Sequence, residues 1–173
     1  MDRSVKYCQY CGSSNIEFRE TYYDLPVVGK SYLYSIICNN CGFKKSDIIL
    51  LEVKKPVRYK VVIESEKDLY IKIIRSSTGR IILDEVGVEI NPGIAAEIFI
   101  TNVEGLISRI LDIIEMAIRF KLKEGNLIAV ENANKIKQYL LEVLNGKKKL
   151  TIILEDKFGN SVILSEKAER EEL

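Results

Sequence analysis

Two closely spaced pairs of cysteines constrain the fold of this chain more than any other feature of its sequence. The four cysteines are Cys8, Cys11, Cys38 and Cys41, and each pair has the form Cys-x-x-Cys-Gly. Two residues between the cysteines let both sulfurs of one turn face the same ion, and two such turns supply the thiolates of a closed tetrahedral site. The glycines, Gly12 and Gly42, tolerate the positive φ that lets a turn aim backbone amides at the sulfurs. The pattern therefore predicts one metal ion, and zinc is the metal expected with sulfur ligands alone.

Two disulfides, or four unrelated buried cysteines, are the alternatives to a metal site. The segment Met1-Asp2-Arg3-Ser4 is polar and precedes no apolar signal sequence, so the sequence predicts a cytoplasmic protein. Disulfides are rare in that compartment. Redox chemistry by a single Cys-x-x-Cys pair requires a strand–helix context that neither pair shows. Because four protein ligands leave no position for water or substrate, the predicted role of the zinc ion is structural.

The charge and composition of the chain disfavour several classes of function. The 26 basic residues nearly balance the 25 acidic ones, which leaves no bulk field for holding nucleic acid or an anionic membrane. The 173 residues include no histidine, the commonest general base and catalytic metal ligand. The longest apolar-looking stretch, 103–120, carries charges such as Glu104 and Arg109 and is therefore amphipathic rather than membrane-spanning. We expect a protein that is not an enzyme and has no membrane partner.

A change in pattern near Lys54-Lys55-Pro56 predicts two domains, a four-cysteine zinc ribbon over residues 1–54 and a β-barrel-like domain over residues 55–173. Apolar and polar residues alternate in the second domain in the way that is typical of half-buried strands. The predicted strands lie at 59–63, 69–74, 81–83, 88–90, 150–154 and 162–164. The charged tail from Glu166 is expected to fray.

Helical periodicity interrupts the strand pattern between residues 102 and 146. Thr101-Asn102-Val103-Glu104 fits a capping box, in which the threonine hydroxyl and the glutamate carboxylate each accept a hydrogen bond from a free backbone amide. Apolar residues at helical spacing follow, up to Ala117 and Ile118. Gly125-Asn126 then breaks the helix, and a second helix extends to about residue 145, before Gly146. The sequence therefore predicts a helical hairpin inserted in the second domain.

The segment between the two cysteine pairs is long enough to form a projecting hairpin and is rich in tyrosine. Its tyrosines include Tyr22, Tyr23, Tyr32 and Tyr34. Exposed tyrosines are good anchors for a protein partner, since they are enriched in the buried centres of protein interfaces. The alternative is that these rings pack against the ribbon's own sheet.

Two charged clusters have both a functional and a structural interpretation. The basic residues Lys54-Lys55, Arg58, Lys60 and Lys147-Lys148-Lys149 could form a patch for RNA or DNA, although short charge runs are more often solvated faces or loops. Glu155-Asp156 precedes a turn, and the expected role of Asp156 is to cap that turn through its side chain rather than to bind a metal or transfer protons.

The chain resembles the ZPR-type zinc-finger family over nearly its whole length, as a single module like that of archaeal members. The stretches that carry the resemblance are Cys8-Gln9-Tyr10-Cys11-Gly12, Cys38-Asn39-Asn40-Cys41-Gly42-Phe43, the helix start from Thr101 to Leu106, and Asp156 with Gly159-Asn160-Ser161. Asp84 and Lys157 depart from the family pattern, which has proline at both positions.

The resemblance implies a zinc ribbon followed by a double-stranded β-helix, a jelly-roll-like barrel, with an inserted helical hairpin. It also implies binding to the GTPase elongation factor 1-alpha and assistance to its folding. We therefore expect a mostly β protein that acts as a zinc-binding protein-interaction module, with Glu104 and the four tyrosines as candidate partner contacts. A nucleic-acid-binding zinc ribbon of transcription or translation is the alternative, and a jelly-roll-like enzyme with no identifiable catalytic group is a third interpretation.

Overall fold

Antiparallel strands and one helical hairpin make up the structure, a computed structural model that describes residues 6–93 and 96–173. The strands are β1 (Ile16–Leu25), β2 (Gly29–Cys38), β3 (Lys44–Leu50), β4 (Val57–Ile63), β5 (Lys72–Arg75), β6 (Gly79–Leu83), β7 (Val88–Ile90), β8 (Phe99–Asn102), β9 (Leu150–Asp156), β10 (Val162–Leu164) and β11 (Glu169–Glu172). The helices are α1 (Val103–Lys123) and α2 (Leu127–Leu144), with short 3-10 helices at Glu66–Tyr70 and Asp84–Val86. Within these residues the strands form sheets of order β1-β2-β3, β10-β5-β8 and β11-β4-β9-β6-β7.

The first sheet is a long β-hairpin with a third strand. Strands β1 and β2 pair along their whole length, from Ile16 opposite Cys38 to Leu25 opposite Gly29. Strand β3 pairs with the other side of β2, so β2 is the central strand. The cysteine pairs lie at the open end of the hairpin, and ten residues of strand separate that end from the hairpin turn. At the usual rise of a β-strand this is a distance of about 30 Å.

The two remaining sheets and the helices share one hydrophobic core. Strand β9 is the middle strand of the five-stranded sheet and is buried along nearly its whole length. The largest fully buried side chains of this core are Ile63, Ile73, Ile81, Leu83, Leu106, Ile107, Leu140, Leu150, Ile152 and Leu154. Since these residues come from strands of both sheets and from both helices, the hairpin covers the interior that the sheets enclose.

The helical hairpin packs on the sheets with only part of its length. In α1 the predicted apolar stripe is buried from Val103 to Ile114, but Ala117, which the periodicity placed on the same face, is exposed. In α2 full burial begins only at Leu140. The distal half of the hairpin, around Gly125, therefore extends beyond the core. Neither helix combines the length and hydropathy needed to cross a membrane.

The predicted strand at 69–74 is wrong in its first half. Residues 69 and 70 belong to the 3-10 helix Glu66–Tyr70, and strand β5 begins only at Lys72. The reason is the carboxylate of Asp68, which accepts hydrogen bonds from the amides of Glu64 and Ser65 and so holds a turn.

The prediction that the C-terminal tail frays is also wrong. Strand β11 pairs with β4 at the edge of the five-stranded sheet. Lys167 precedes it and donates a 2.6 Å hydrogen bond to the buried carboxylate of Asp68. Strand β8, to which the sequence analysis assigned no structure before Thr101, pairs with β5. Cross-strand partners far away in the sequence stabilise both short strands.

The turn of the ribbon hairpin is attached to the face of the β10-β5-β8 sheet that points away from the core. Val28 is buried there against Ile74 and Val162. The ammonium group of Lys54 donates hydrogen bonds to the carbonyl oxygens of Val27 and Val28, at 3.0 and 2.8 Å. These contacts anchor the ribbon by its turn, so the cysteine pairs lie at the end that is distant from the attachment.

Candidate metal centre and protein-binding surfaces

The two cysteine turns have the same backbone geometry. In the first, the amide of Gly12 donates to the carbonyl oxygen of Cys8 at 2.9 Å, and in the second the amide of Gly42 donates to that of Cys38 at 3.0 Å. Both glycines have positive φ, 72° and 74°, a conformation that a residue with a side chain rarely adopts. The glycines thus do what the sequence predicts, because they let each turn fold its two sulfurs toward the same side.

The structure brings the four cysteine sulfurs together. Their ligand atoms all lie within 4.8 Å of one another. The Sγ atoms of Cys8 and Cys41 are 3.7 Å apart, and those of Cys11 and Cys38 are 3.6 Å apart. A disulfide would require about 2.05 Å, so these pairs are not bonded. Four ligands at the usual zinc–sulfur distance of about 2.3 Å would place tetrahedral neighbours about 3.8 Å apart, which is close to the observed spacing.

The two exposed cysteines differ in pKa because their sulfurs have different hydrogen-bond donors and lie close to one another. Hydrogen bonds from the amide of Ser13 and the side chain of Asn40 lower the pKa of Cys11 to about 6. For Cys41, the amide of Phe43 lowers the pKa, but desolvation and the neighbouring sulfurs outweigh it and raise the pKa to about 12. Four thiolates this close repel one another, so a cation is needed to keep all of them ionised. The donor set therefore fits a divalent, thiophilic metal ion.

The four candidate tyrosines divide into two exposed and two packed residues. Tyr22 and Tyr23 are 70% and 60% exposed, whereas Tyr32 is 7% exposed. Tyr32 lies on the central strand β2, with Tyr22 opposite it on one side, and its hydroxyl donates to the carboxylate of Glu20. The ring of Tyr34 is half-buried beside that of Tyr32, with ring centroids 6.0 Å apart. Tyr32 is therefore part of the ribbon's own packing, and its role as a partner contact stays a prediction.

The predicted capping box at the start of α1 is wrong by one residue. The N-cap is Asn102, whose side-chain oxygen accepts a 2.8 Å hydrogen bond from the amide of Gly105. Thr101 cannot take that position, because it still pairs with Ile73 within the sheet. Glu104 is exposed in the first turn of the helix and takes no part in the cap. The structure thus leaves Glu104 accessible as a candidate partner contact.

The helical hairpin carries a second apolar stripe, which is exposed. Its exposed members are Ile113, Met116 and Phe120 on α1, with Leu127 and Ile128 at the start of α2. The α1 residues are three and four positions apart and lie on one face of the helix. Its spacing is visible in the sequence, but the longer stripe that begins at Val103 dominates the helical periodicity.

Four lysines of the basic runs near Lys54 and Lys148 lie beside oxygen atoms of other segments. Their charged groups bind local partners: Lys54 the carbonyl oxygens of Val27 and Val28, Lys55 the carboxylate of Glu172, Lys148 that of Glu142, and Lys149 that of Glu64. Exposed ion pairs of this kind contribute little stability, but they neutralise the lysines as a binding field for phosphates. The structural interpretation of these runs is therefore favoured.

A ribbon with a four-sulfur site, joined to a jelly-roll-like domain with a helical hairpin, defines a zinc-finger protein of two parts that is mostly β. The family model of the ZPR1 jelly-roll domain matches residues 67–172. A ZPR1-like protein of Pyrococcus horikoshii is 38% identical over 167 residues, which cover 96% of this chain and 75% of the relative. Another, from Methanocaldococcus jannaschii, is 36% identical over 165 residues, 95% of this chain and 82% of the relative. The chain belongs to the ZPR1 family, and the fold class expected from the sequence is confirmed.

Two eukaryotic relatives are similar at lower identity. The zinc finger chaperone of Schizosaccharomyces pombe is 24% identical over 145 residues, and the zinc finger protein ZPR1 of Drosophila melanogaster is 27% identical over 152 residues. Each match covers about four fifths of this chain, 81% and 82%, but only 31% of the relative. The chain therefore corresponds to about one third of these longer proteins.

Proposed function

We propose that this chain is a zinc-binding protein-interaction module that binds elongation factor 1-alpha, as a binding factor or folding chaperone. The resemblance of its cysteine turns and helix start to the ZPR-type family supports this partner, and a relative in Schizosaccharomyces pombe is named a zinc finger chaperone. The observation in the structure that carries the proposal is the pair of exposed tyrosines, Tyr22 and Tyr23, on a strand at the edge of the ribbon sheet.

Strand β1 offers a partner both a backbone edge and side-chain anchors. It is the outer strand of the β1-β2-β3 sheet, so the outer side of its backbone has no strand beside it within the described residues. Consecutive residues of a strand point to opposite faces, so Tyr22 and Tyr23 flank this edge on its two sides. An extended segment of the partner can pair with the edge through main-chain hydrogen bonds, and the two tyrosine rings can contact its side chains. A GTPase that has not finished folding presents such unpaired strands.

The zinc ion would hold this edge in place. The ribbon lacks a large core of its own, since the buried hydrophobic residues of its sheet are few. Small domains of this size depend on metal ions or disulfides for stability. Cys38 ends strand β2, and Cys8 precedes β1, so one ion joined to both would clamp the open end of the hairpin.

The exposed stripe on the helical hairpin is a second surface for the same partner. Ile113, Met116 and Phe120 are 60–63% exposed, and exposed apolar clusters on soluble domains commonly mark binding sites. Their spacing is that of anchors by which a helix enters a groove.

Binding measurements with the purified GTPase test the proposal. The zinc-loaded chain should bind elongation factor 1-alpha in at least one of three states: GDP-bound, bound to a GTP analogue, or during refolding from denaturant. Replacing Tyr22 or Tyr23 with alanine should weaken binding by about 2 kcal/mol or more at a hot-spot position. Tyr70, which is 72% exposed on the 3-10 helix of the second domain, provides the matched control, and Tyr70→Ala should have no effect.

The binding measurements distinguish the ribbon edge from the helical hairpin as the contact surface, and they also test the proposed partner. If Tyr22→Ala and Tyr23→Ala bind normally while Phe120→Ala does not, the helical hairpin is the contact and the ribbon edge is not. If the unmodified chain associates with none of the three states of the GTPase, the proposed partner is wrong.

A further inference from the structure

The end of the ribbon that carries the cysteine turns differs in charge from the rest of the chain. We call residues 6–15 and 38–45 the knuckle end. It contains Lys6, Lys44 and Lys45 and no aspartate or glutamate, although the whole chain holds 25 acidic residues. All three lysines are exposed, and Lys44 and Lys45, consecutive residues of β3, flank the end of the sheet on its two faces. Their charges outweigh the net double negative charge of a divalent ion bound by four thiolates. The net charge of the whole chain is near zero, but the knuckle end is positively charged.

The acidic residue that follows the first cysteine turn does not cancel this charge. Glu17, the second residue of β1, forms an ion pair with Arg19, whose Nη2 atom lies 2.5 Å from the Glu17 Oε1 atom. The pair is close to neutral as a unit. The positive potential of the three lysines therefore remains available to an anionic ligand.

Aromatic rings accompany the lysines on this end. Tyr7 is 62% exposed and Tyr10 is 80% exposed. Among the large apolar and aromatic side chains of the described residues, Tyr10 is the most exposed. The ring of Tyr10 is parallel to that of Phe43, with an interplanar angle of 1° and centroids 6.4 Å apart. Each cysteine turn supplies one ring of this pair. A side chain as exposed as Tyr10 contributes little to the ribbon's own packing, so its ring is available to a ligand.

The knuckle end is also sterically accessible. The ribbon is attached to the second domain through Val28 and Lys54 at its turn, and Glu97 and Ile98 of the second domain line a cavity with the middle of the ribbon strands. The three lysines, Tyr7 and Tyr10 are nonetheless exposed to solvent.

We propose that the knuckle end binds single-stranded nucleic acid, with Tyr7, Tyr10 and Phe43 stacking on bases and the three lysines contacting phosphates. Proteins that bind single strands without strong sequence preference combine a positive surface that follows the backbone with rings on which successive bases stack. Exposed rings can also anchor a protein partner, but a protein partner for this end would have to be acidic. The combination of exposed rings with exposed lysines favours the nucleic acid.

This inference does not depend on the proposed GTPase partner, because it uses a different part of the ribbon. Tyr22 and Tyr23 lie near the hairpin turn, at the far end of β1 from Cys11. Variants at the two ends can therefore be tested separately, and either proposal can fail without the other.

Fluorescence anisotropy with labelled oligonucleotides tests it. The zinc-loaded full chain should bind a twelve-nucleotide single-stranded RNA or DNA of mixed sequence at about 50 mM salt, and should bind the matching duplex more weakly. Comparison of the RNA and DNA arms shows which of them the chain prefers. With three phosphate contacts, the slope of log affinity against log salt should be about −2 for a single strand.

Substitutions distinguish the contribution of ring stacking to the binding affinity from that of the lysine charges. Tyr10→Leu and Phe43→Leu keep an apolar side chain but remove the ring, and each should weaken binding about fivefold to a hundredfold without changing the salt slope. Tyr10→Phe should retain most of the affinity. Lys44→Gln with Lys45→Gln should reduce the slope to about −0.7. Tyr70→Leu and Lys72→Gln, exposed positions of the second domain, are the matched controls and should change neither property.

Metal analysis of each variant ensures that a loss of affinity is not a loss of zinc. Unchanged binding by metal-loaded Tyr10→Leu and Phe43→Leu would overturn the proposal, as would an equal loss in the Tyr70→Leu control. The absence of measurable binding to either oligonucleotide at 50 mM salt would also overturn it. Loss of GTPase binding in Tyr10→Leu, without any nucleic-acid affinity in the unmodified chain, would assign the knuckle end to a protein partner instead.

Discussion

The hydroxyl group of Ser76 donates a 2.6 Å hydrogen bond to the carboxylate of Asp156, although the two residues are eighty positions apart in the sequence. Asp156 is 1% exposed and also accepts hydrogen bonds from the hydroxyls of Thr78 and Ser161, both at 2.7 Å. The backbone amides of Phe158 and Asn160 also donate hydrogen bonds to the Asp156 carboxylate. The expectation that Asp156 caps the following turn is confirmed, and the structure adds that it also joins that turn to the loop between β5 and β6.

This network should make the stability of the second domain depend on pH. Burial raises the pKa of Asp156, but the donors of Ser76, Ser161, Thr78 and Phe158 outweigh it, so the pKa lies below its usual value of 3.8. The folded state therefore holds fewer protons than the unfolded state in the interval between the two values. The stabilisation is complete above pH 3.8 and is lost as the pH falls through the pKa of the folded state.

Asp156→Asn should lower the free energy of unfolding at pH 7 by about 2 kcal/mol or more, since an amide nitrogen would face hydroxyl donors in a buried site. The difference between the variant and the unmodified chain should shrink as the pH falls below 3.8. Denaturant titrations at pH 7 and at lower pH values measure both effects. Asp112→Asn, on the exposed face of α1, is the control. A difference that stays constant across this range would show that the carboxylate charge is not the origin of the stabilisation.

Asn102→Ala should destabilise the second domain by about 1 kcal/mol, because the amide of Gly105 loses its acceptor. Asn102→Asp should retain the cap. Glu104→Ala, which alters the same helical turn but not the cap, should change the stability by less than about 0.5 kcal/mol. Thermal or denaturant unfolding measures all three variants. An equal loss of stability in Glu104→Ala would support the capping box that the sequence predicted.

Removal of the metal should unfold the ribbon and leave the second domain folded. The ribbon sheet has few buried residues of its own, whereas the second domain has a separate and larger core. Metal analysis of freshly purified, reduced protein should find about one zinc per chain. Hydrogen exchange after chelation should then show loss of protection in 16–50 and its retention in 57–63 and 150–156. Purified protein without bound metal, or a chelated ribbon that stays protected, would contradict this prediction.

Val27→Asn should stabilise the protein by about 1 kcal/mol. Val27 has φ of 75° and is 56% exposed, so a β-branched side chain adopts a strained conformation and buries little in return. Asparagine tolerates this region of φ with less strain. The neighbouring Val28→Asn should have the opposite effect, because Val28 is buried at the junction of ribbon and second domain. Denaturant unfolding midpoints measure the stability of both variants. A loss of stability in both would show that the positive φ of Val27 is not a source of strain.

Tyr32→Ala should destabilise the ribbon by about 3 kcal/mol, as is typical of removing a buried ring. Tyr22→Ala, on the neighbouring edge strand, removes an exposed ring and should have a much smaller effect. Hydrogen exchange in strands β1 to β3 provides the measurement. If Tyr32→Ala leaves this protection intact and weakens partner binding, Tyr32 belongs to the interface after all.

Elements with local signals can be predicted from the amino-acid sequence alone. The Cys-x-x-Cys-Gly turns are local because two residues and a glycine decide where both sulfurs point. The hairpin break at Gly125-Asn126 and the buried stripe of α1 are local because helical periodicity repeats every few residues. The family resemblance rested on the same stretches, and the match to the ZPR1 jelly-roll domain confirmed it.

Features that depend on partners far away in the chain could not be predicted from local patterns and follow from the folded structure. Tyr22 and Tyr32 are indistinguishable in sequence, yet one lies on an edge strand and the other at the centre of its sheet. Thr101 fits a capping box locally, but its pairing with Ile73 moves the helix start to Val103. The tail beyond Glu166 has the composition of a frayed end, and its pairing with β4 makes it a strand. In each case a local preference of about 1 kcal/mol competes with hydrogen bonds and burial that form only when distant segments meet, and the distant contacts prevail.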